Sequence, residues 1–350
     1  MSHTPKTPFI QGLRAWWEHH VLFEAKDWIQ VEVTSRCNAA CIYCPRTVYR
    51  DSWRNRSLPL ALYERLVPAF GKTGLVYLQG WGEPLLHPDL PAMVEMAKAA
   101  GSRVGTTTNG MLLDASLAKS LVKSGLDVIT FSLASTTAAS NDRIRAGTRM
   151  ADVLEKIALL ETVKRQCASS TPAVHIAYML LASGMDEIQR LPGLLAHSHV
   201  AQVVVSVLDF EPCRSLAGEV VHLDTQARRA EVETVFTELR AAGRTVGLEI
   251  HTPRSEPIEG RDSCSENIQR ALVVSAAGEV SPCVLTNLPV AARHHYVESQ
   301  NRPNRRLIFG NIRRTLLPAI WRHAEYVDWR AAHAAGEVAA PCAGCSKRLR

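Results

Sequence analysis

Three cysteines at C-x3-C-x2-C spacing, Cys37, Cys41 and Cys44, put three thiolates within one short stretch of chain. Thiolates this crowded can all face one metal centre. A 4Fe–4S cluster takes four cysteines, one for each iron, so three local ligands leave one iron with an open position. An open position is what a metal needs if it is to bind a substrate. Zinc knuckles use two-residue gaps in paired halves, and this run does not have that form. Three buried cysteines on a turn are the plain structural alternative. A second set, Cys264, Cys283, Cys342 and Cys345, returns towards the C-terminus, and Cys167 and Cys213 are left over. Four thiolates can saturate a second 4Fe–4S cluster or a tetrahedral zinc ion.

These residues need elements to hold them. Ile29, Val31 and Val33 alternate just before Cys37, and that period of two predicts a strand leading into the first set. Similar runs predict strands near 28–34, 74–80, 103–108, 127–133, 173–180 and 201–208. Helical stretches lie between them near 58–70, 89–100, 114–124, 150–167 and 185–197. Six βα units in sequence predict an α/β fold with a parallel sheet and right-handed crossovers, either open and doubly wound or curved into a barrel. A helix near 224–242 and a short strand over Thr245–Ile250 follow. The run Leu272-Val273-Val274, Ala276-Ala277-Gly278, Glu279-Val280 predicts a small hairpin within the second cysteine set. Residues 1–26 read as a helical extension.

The C-x3-C-x2-C run, with Tyr43 before its last cysteine, resembles the radical S-adenosylmethionine (SAM) enzymes. The resemblance implies a partial (β/α)6 barrel whose chemistry lies at the C-terminal ends of the strands. It implies that the open iron binds the amino and carboxylate groups of SAM. One electron then cleaves SAM to methionine and a 5′-deoxyadenosyl radical, which abstracts a substrate hydrogen. By the same resemblance Tyr43 lies near the adenine. Gly80-Trp81-Gly82-Glu83-Pro84 is similar to the family's Gly-Gly-Glu-Pro stretch, which holds the SAM amino group. Trp81 stands where the family has glycine, so the match covers Gly82, Glu83 and Pro84. A carboxylate suits an ammonium through charge-assisted hydrogen bonds. Asn109, in Thr108-Asn109-Gly110, is expected to support the site, and Ser132 to bond the ribose. Arg143, with Arg145 as the alternative, is expected to pair with the SAM carboxylate, and Val205 to cover the adenine. Asp209, Glu211 and Cys213 end the barrel where substrate should sit, and Cys213 is a candidate hydrogen-donating thiol.

The second cysteine set, with its hairpin and Gly310-Asn311, resembles the SPASM and twitch domains appended to many radical SAM enzymes. The chain ends soon after Cys345, which resembles the shorter form with one auxiliary cluster. The expected organisation is an extension at 1–26, a barrel at 27–213, a bridge at 214–260 and an auxiliary-cluster domain at 261–350.

Composition bounds the remaining classes. The chain has 350 residues, 46% hydrophobic and 21% charged, with a net charge of +6, and its arginines are scattered apart from the terminal Lys347-Arg348-Leu349-Arg350. A basic stripe with interleaved aromatics, as nucleic-acid binding wants, is absent from the sequence. No apolar run has the length of a membrane span, and Met1 to Gln11 lacks a signal core. A cytoplasmic setting is therefore expected, where cysteines serve as ligands or free thiols. Gly71-Lys72-Thr73 is similar to a phosphate loop but has Leu66 where that motif needs glycine. His197 and His199 have no acidic or cysteine partner nearby in the sequence.

The leading expectation is a radical SAM oxidoreductase. Its auxiliary cluster would accept the second electron, and a flavodoxin- or ferredoxin-type protein would supply the first. Peptide modification and small-molecule dehydrogenation are both open. The alternatives are a redox-neutral enzyme with a structural zinc domain, or a metal-binding scaffold without catalysis.

Overall fold

The computed structural model describes residues 24–255, 264–290, 293–297, 300–338, 340–345 and 347. Most of the expected helix over 1–26 thus lies outside the described residues. Six strands appear where alternation predicted them: β1 Lys26–Val31, β2 Thr73–Leu78, β3 Arg103–Thr108, β4 Val128–Leu133, β5 Ala173–Leu180 and β6 Gln202–Val207. β7 Glu249–His251, β8 Ala271–Val274, β9 Glu279–Ser281 and, later in the chain, β12 Gly310–Asn311 complete one sheet. β10 Arg293–Val297 and β11 Gln300–Asn304 form a separate antiparallel hairpin.

The order in the large sheet is β12-β9-β8-β1-β2-β3-β4-β5-β6-β7. The strands from β1 to β7 are parallel and follow chain order. A doubly wound sheet would reverse its order at a switch point. This one winds in a single direction, as a partial barrel does, and it does not close.

Side chains alternate between its two faces. Ile29, Val31, Val76, Leu78, Phe131 and Ile176 belong to one buried cluster with Tyr63, Phe70, Met93, Leu121 and Leu160 of the intervening helical segments. The other face is polar, with Gln30, Tyr77, Thr107 and Ser132. Tyr77 Oη lies 2.9 Å from Thr107 Oγ1 and 3.0 Å from Thr130 Oγ1, which fixes this floor across three strands. Gly105 makes room for it, because a Cβ there would lie 2.6 Å from the Tyr77 ring.

Two expected helices are broken. The stretch near 58–70 splits into Leu60–Tyr63, a 3-10 turn at Glu64–Leu66 and Val67–Phe70, with Pro68 in the last segment. The stretch near 185–197 becomes a 3-10 turn at Ile188–Arg190 followed by Leu191–Leu195, which contains Pro192 and Gly193. Proline lacks the N–H that a helix interior needs. The helix expected near 224–242 runs over Gln226–Thr245, with Thr225 Oγ1 accepting from Arg228 N at its start. It takes Thr245 from the expected strand at Thr245–Ile250, and the strand forms only at Glu249–His251.

The C-terminal hairpin continues the barrel sheet. β8 pairs in parallel with the free edge of β1, Trp28 opposite Ala271 and Val31 opposite Val274. An Asp27–Arg270 ion pair at 2.8 Å closes one end of this seam. β1, which runs into the first cysteine set, is therefore bonded directly to the element carrying the second.

Candidate active site

The cysteine loop after β1 is held by its neighbours through backbone contacts. Glu83 N donates to Arg36 O, Ala40 N to Ala146 O and Ile42 N to Ile144 O, at 2.7, 2.7 and 2.9 Å. The glycines follow from this crowding. A Cβ on Gly82 would lie 2.2 Å from Thr34 O and 2.5 Å from Arg36 O. Gly147, at φ +87°, approaches Asn38 O and the Ala39 Cα. The loops after β2 and β4 thus press on the cysteine loop from two sides.

Glu83 is the centre of this packing. Its carboxylate accepts from Thr108 Oγ1 at 2.6 Å, Asn109 N at 2.7 Å and Leu85 N at 3.1 Å. Burial pushes its pKa up, while these donors oppose the shift. Asn109 Nδ2 donates to Asn38 Oδ1 at 2.8 Å, beside Cys37. Burial raises the Cys37 thiol and pushes Cys44 up to about 12. Such thiols stay protonated until a metal takes the proton's place.

A cavity of about 380 Å³ opens over the polar face of the sheet, lined at one end by Cys37, Cys41, Cys44, Tyr43, Glu83 and Arg145. Gly82, Asn109 and Ser132 also line it. Arg145 is 6% exposed and its guanidinium donates to Tyr43 Oη, while its Nε is buried without a hydrogen-bond partner. A ligand carboxylate would satisfy that donor, and the cysteines and Glu83 beside it fit a cluster-bound amino acid.

Three expected positions move. Arg143 stands exposed on the outside of the helix Ala138–Ile144, and Arg145, just beyond the helix end, turns inward instead. Val205 faces the helix-packed cluster, so Ser206 and Val207 supply the β6 wall. Cys213 does not line the cavity. It packs with Ile42, Leu208 and Leu216, its Sγ 3.2 Å from Ser215 Oγ. Of the other two barrel-end residues, Asp209 lines the cavity and Glu211 does not.

The same cavity is also lined by Glu266, Val284, Leu285 and Lys347. Each adjoins the second cysteine set in the chain. Ser265 N donates to Lys347 O at 3.3 Å, which joins the Cys264 segment to the Cys345 segment. Lys347 Nζ lies 3.0 Å from Glu266 and 3.2 Å from Asp209, tying this region to the end of β6. Burial works against its charge, but the two carboxylates outweigh it and hold the pKa above its ordinary value. Lys347, which the sequence reading passed over, is the residue that joins the two halves of the cavity wall. Among the described residues no three His, Cys, Asp or Glu side chains gather round a single ion. Ligands of a cubane bind separate irons and need not converge in that way.

Residues 31–175 match the radical SAM superfamily model, and residues 264–346 match the SPASM model, an iron–sulfur cluster-binding domain. The chain belongs to the radical SAM superfamily and carries a SPASM domain on its C-terminal side. These domains imply 4Fe–4S clusters and SAM. A cofactor-modifying protein for tungsten-containing aldehyde ferredoxin oxidoreductase from Pyrococcus furiosus is 25% identical, over 87% of this chain and 83% of that protein. The PqqA peptide cyclase of Xanthomonas euvesicatoria is also 25% identical, over 91% of this chain and 80% of the cyclase. Streptococcus suis SuiB bound to S-adenosylmethionine shares the fold at a TM-score of 0.65 and 14% identity, over 100% of this chain and 78% of SuiB. No helix among the described residues is long and apolar enough to cross a membrane.

Proposed function

We propose that this radical SAM enzyme is an oxidoreductase acting on a peptide, with the second cysteine set holding an auxiliary 4Fe–4S cluster that accepts an electron from the substrate. One observation carries the reading: a single cavity runs from the Cys37–Cys44 loop to residues adjoining Cys264, Cys283 and Cys345. A substrate lying in it touches both regions. When bound, the first cluster and SAM supply a radical able to take a hydrogen atom from the substrate.

Cys37, Cys41 and Cys44 hold that cluster. Arg145 binds the SAM carboxylate, with Tyr43 fixing the guanidinium from the other side. Glu83 already accepts three protein hydrogen bonds, so it orients the wall first and offers its remaining lone pairs to the SAM amino group. Asn109 locks the cysteine loop through Asn38, and Ser132 faces the ribose. Asp209, Glu266 and Lys347 give the substrate end its charged groups. The units are the barrel at 27–213, the bridge at 214–260 and the auxiliary domain at 261–350.

A peptide substrate is supported by the PqqA peptide cyclase among the relatives. Small-molecule or cofactor modification is the second reading, favoured by the Pyrococcus furiosus protein. The test is to purify and reconstitute the protein without oxygen, count iron, sulfide and zinc, and assay 5′-deoxyadenosine with a flavodoxin- or ferredoxin-type reductant. About eight irons per chain supports two 4Fe–4S clusters. About four irons with one zinc would overturn the electron-acceptor role and leave a redox-neutral reaction.

A further inference from the structure

A second cavity of about 350 Å³ lies apart from the first, between the loop after β1 and the β8–β9 turn. Its lining includes Arg54, Arg56, Arg306 and Arg313, set against Glu32 and Glu279. The charges are layered. Glu32 is 3% exposed and Glu279 partly buried, whereas all four arginines are exposed. The floor is therefore acidic and the rim basic, with two more guanidiniums than carboxylates.

The floor groups are already used. Glu32 accepts from the backbone N–H groups of Trp81 and Ala276, at 2.9 and 3.0 Å. Glu279 is paired with Arg306, which also donates to Asn287 Oδ1 at 2.6 Å. Arg313 donates from its Nε to Ala277 O at 3.3 Å. The Arg54 and Arg56 side chains make no hydrogen bond or ion pair among the described residues, although their backbones are pinned. Arg54 N donates to Pro289 O, and both carbonyls accept from Ser35 Oγ. Two guanidiniums thus stand on a fixed loop over the basin without a bonded partner among the described residues.

We propose that this basin is an exosite for an acidic segment of the peptide substrate. It rests on the peptide reading given above. A compact polyanion such as pyrophosphate would settle deep, where Glu32 and Glu279 present acceptors already bonded to Trp81, Ala276 and Arg306 and offer it no donor. Carboxylates strung along an extended chain reach the rim arginines without approaching the floor, and guanidinium forks suit carboxylates two bonds at a time. The exosite is separate from the catalytic cavity, and Glu32 is the wall between them, bonded to Trp81 on one side and Ala276 on the other. A segment anchored here raises the effective concentration of the segment to be modified without entering the chemistry.

The test uses the reconstituted holoenzyme and fluorescein-labelled hexaglutamate, with hexaglutamine and inorganic pyrophosphate as comparison ligands. Fluorescence anisotropy should show binding of hexaglutamate that added salt weakens and that hexaglutamine lacks. The double variant Arg54→Glu/Arg56→Glu should lose about tenfold or more in affinity. Lys119→Glu/Lys123→Glu, which changes net charge equally on a distant exposed helix face, should bind as the parent does. SAM cleavage to 5′-deoxyadenosine should stay within about twofold in both variants, since neither touches the catalytic cavity. Equal loss in both doubles would reduce the effect to net charge and overturn the exosite. Displacement of hexaglutamate by equimolar pyrophosphate would make the basin a small-oxyanion site and overturn the peptide assignment. Absence of hexaglutamate binding with SAM cleavage intact would overturn the exosite while leaving the radical SAM reading in place.

Discussion

The buried acid between the two cavities gives the most direct test of the structural reasoning. Glu32 is enclosed, and burial pushes its pKa from 4.5 to about 7, against the pull of the N–H groups of Ala276 and Trp81. The folded pKa is raised, so the native state binds more protons than the unfolded chain between these two values. The group's contribution to stability is greatest below pH 4.5 and declines as pH rises through 7. At about 1.4 kcal/mol per pH unit the full span is roughly 3 kcal/mol, and the part between pH 5 and pH 8 is about 2.5 kcal/mol. An unfolding entropy of about 0.7 kcal/mol/K for a chain of this length turns that into about 3 to 4 °C of Tm.

Glutamine at this position cannot titrate. Glu32→Gln also exchanges one acceptor for an NH2 group facing a backbone N–H, so the variant should be less stable than the parent throughout. The informative quantity is how the difference changes with pH. Thermal midpoints of both reconstituted proteins, taken anaerobically at pH 5, 6, 7 and 8, should converge by about 3 to 4 °C over that range. Every other titrating group is common to both chains and cancels. A gap that stays constant or widens with pH would refute the argument, because it would mean that the two N–H donors outweigh burial and keep Glu32 ionised throughout.

Other substitutions separate the proposed roles. Arg145→Met should weaken SAM binding by about 10- to 100-fold, the worth of a charge-assisted hydrogen bond pair, whereas Arg143→Met should leave it unchanged; anaerobic calorimetry with SAM distinguishes them. Gly82→Ala should cost about 1–3 kcal/mol of stability through overpacking, and because its Cβ would strike Thr34 O and Arg36 O, iron content should fall with the thermal midpoint. Cys41→Ala should abolish 5′-deoxyadenosine formation while leaving about half the iron, that of the auxiliary cluster. Cys283→Ala should keep slow uncoupled SAM cleavage and lose product; normal product formation by this variant would remove the electron-acceptor role.

The strands were legible because each carries its own period, and the turn motifs at Gly82-Glu83-Pro84 and Thr108-Asn109-Gly110 stood where strand ends should be. Parity was legible too: in Gln202-Val203-Val204-Val205-Ser206-Val207 one face is Val203, Val205 and Val207, the other Gln202, Val204 and Ser206, and the all-valine face is the buried one. The expectation for Val205 failed because the cavity lies over the mixed face, to which Ser206 points, while Val205, opposite Tyr178 of β5, packs against the helices. Arg143 and Arg145 differ by a helix end. Asn141 and Ile144 mark the buried side of that short helix, which puts Arg143 off it, but where the chain leaves helical geometry is set by tertiary bonds from Ala40 and Ile42. Cys213 follows β6 as a substrate-site residue should, yet it turns away because Leu208 and Leu216 draw it into a small apolar cluster.

The pairing of β8 with β1 was the least legible feature, since more than two hundred residues separate them and no local pattern links them. It has the largest consequence for the chemistry. β1 ends in the loop of Cys37, and β9, the return strand of the hairpin, ends just before Cys283. Because β9 runs antiparallel, with Ser281 opposite Val273 and Val273 opposite Gln30, Cys283 emerges towards the opposite end of β1 from Cys37. At about 3.3 Å per residue, the strand itself spaces the two cysteine sets. A substrate radical formed near the first set and an electron acceptor built on the second are thus held at a separation fixed by backbone hydrogen bonds. Glu32 sits in that seam and bonds to a loop on each side. A loosened seam should therefore uncouple SAM cleavage from product formation before it unfolds the barrel, and the ratio of 5′-deoxyadenosine to product in Glu32→Gln measures this. A ratio equal to that of the parent would mean that the β1–β8 ladder holds the spacing without help from Glu32.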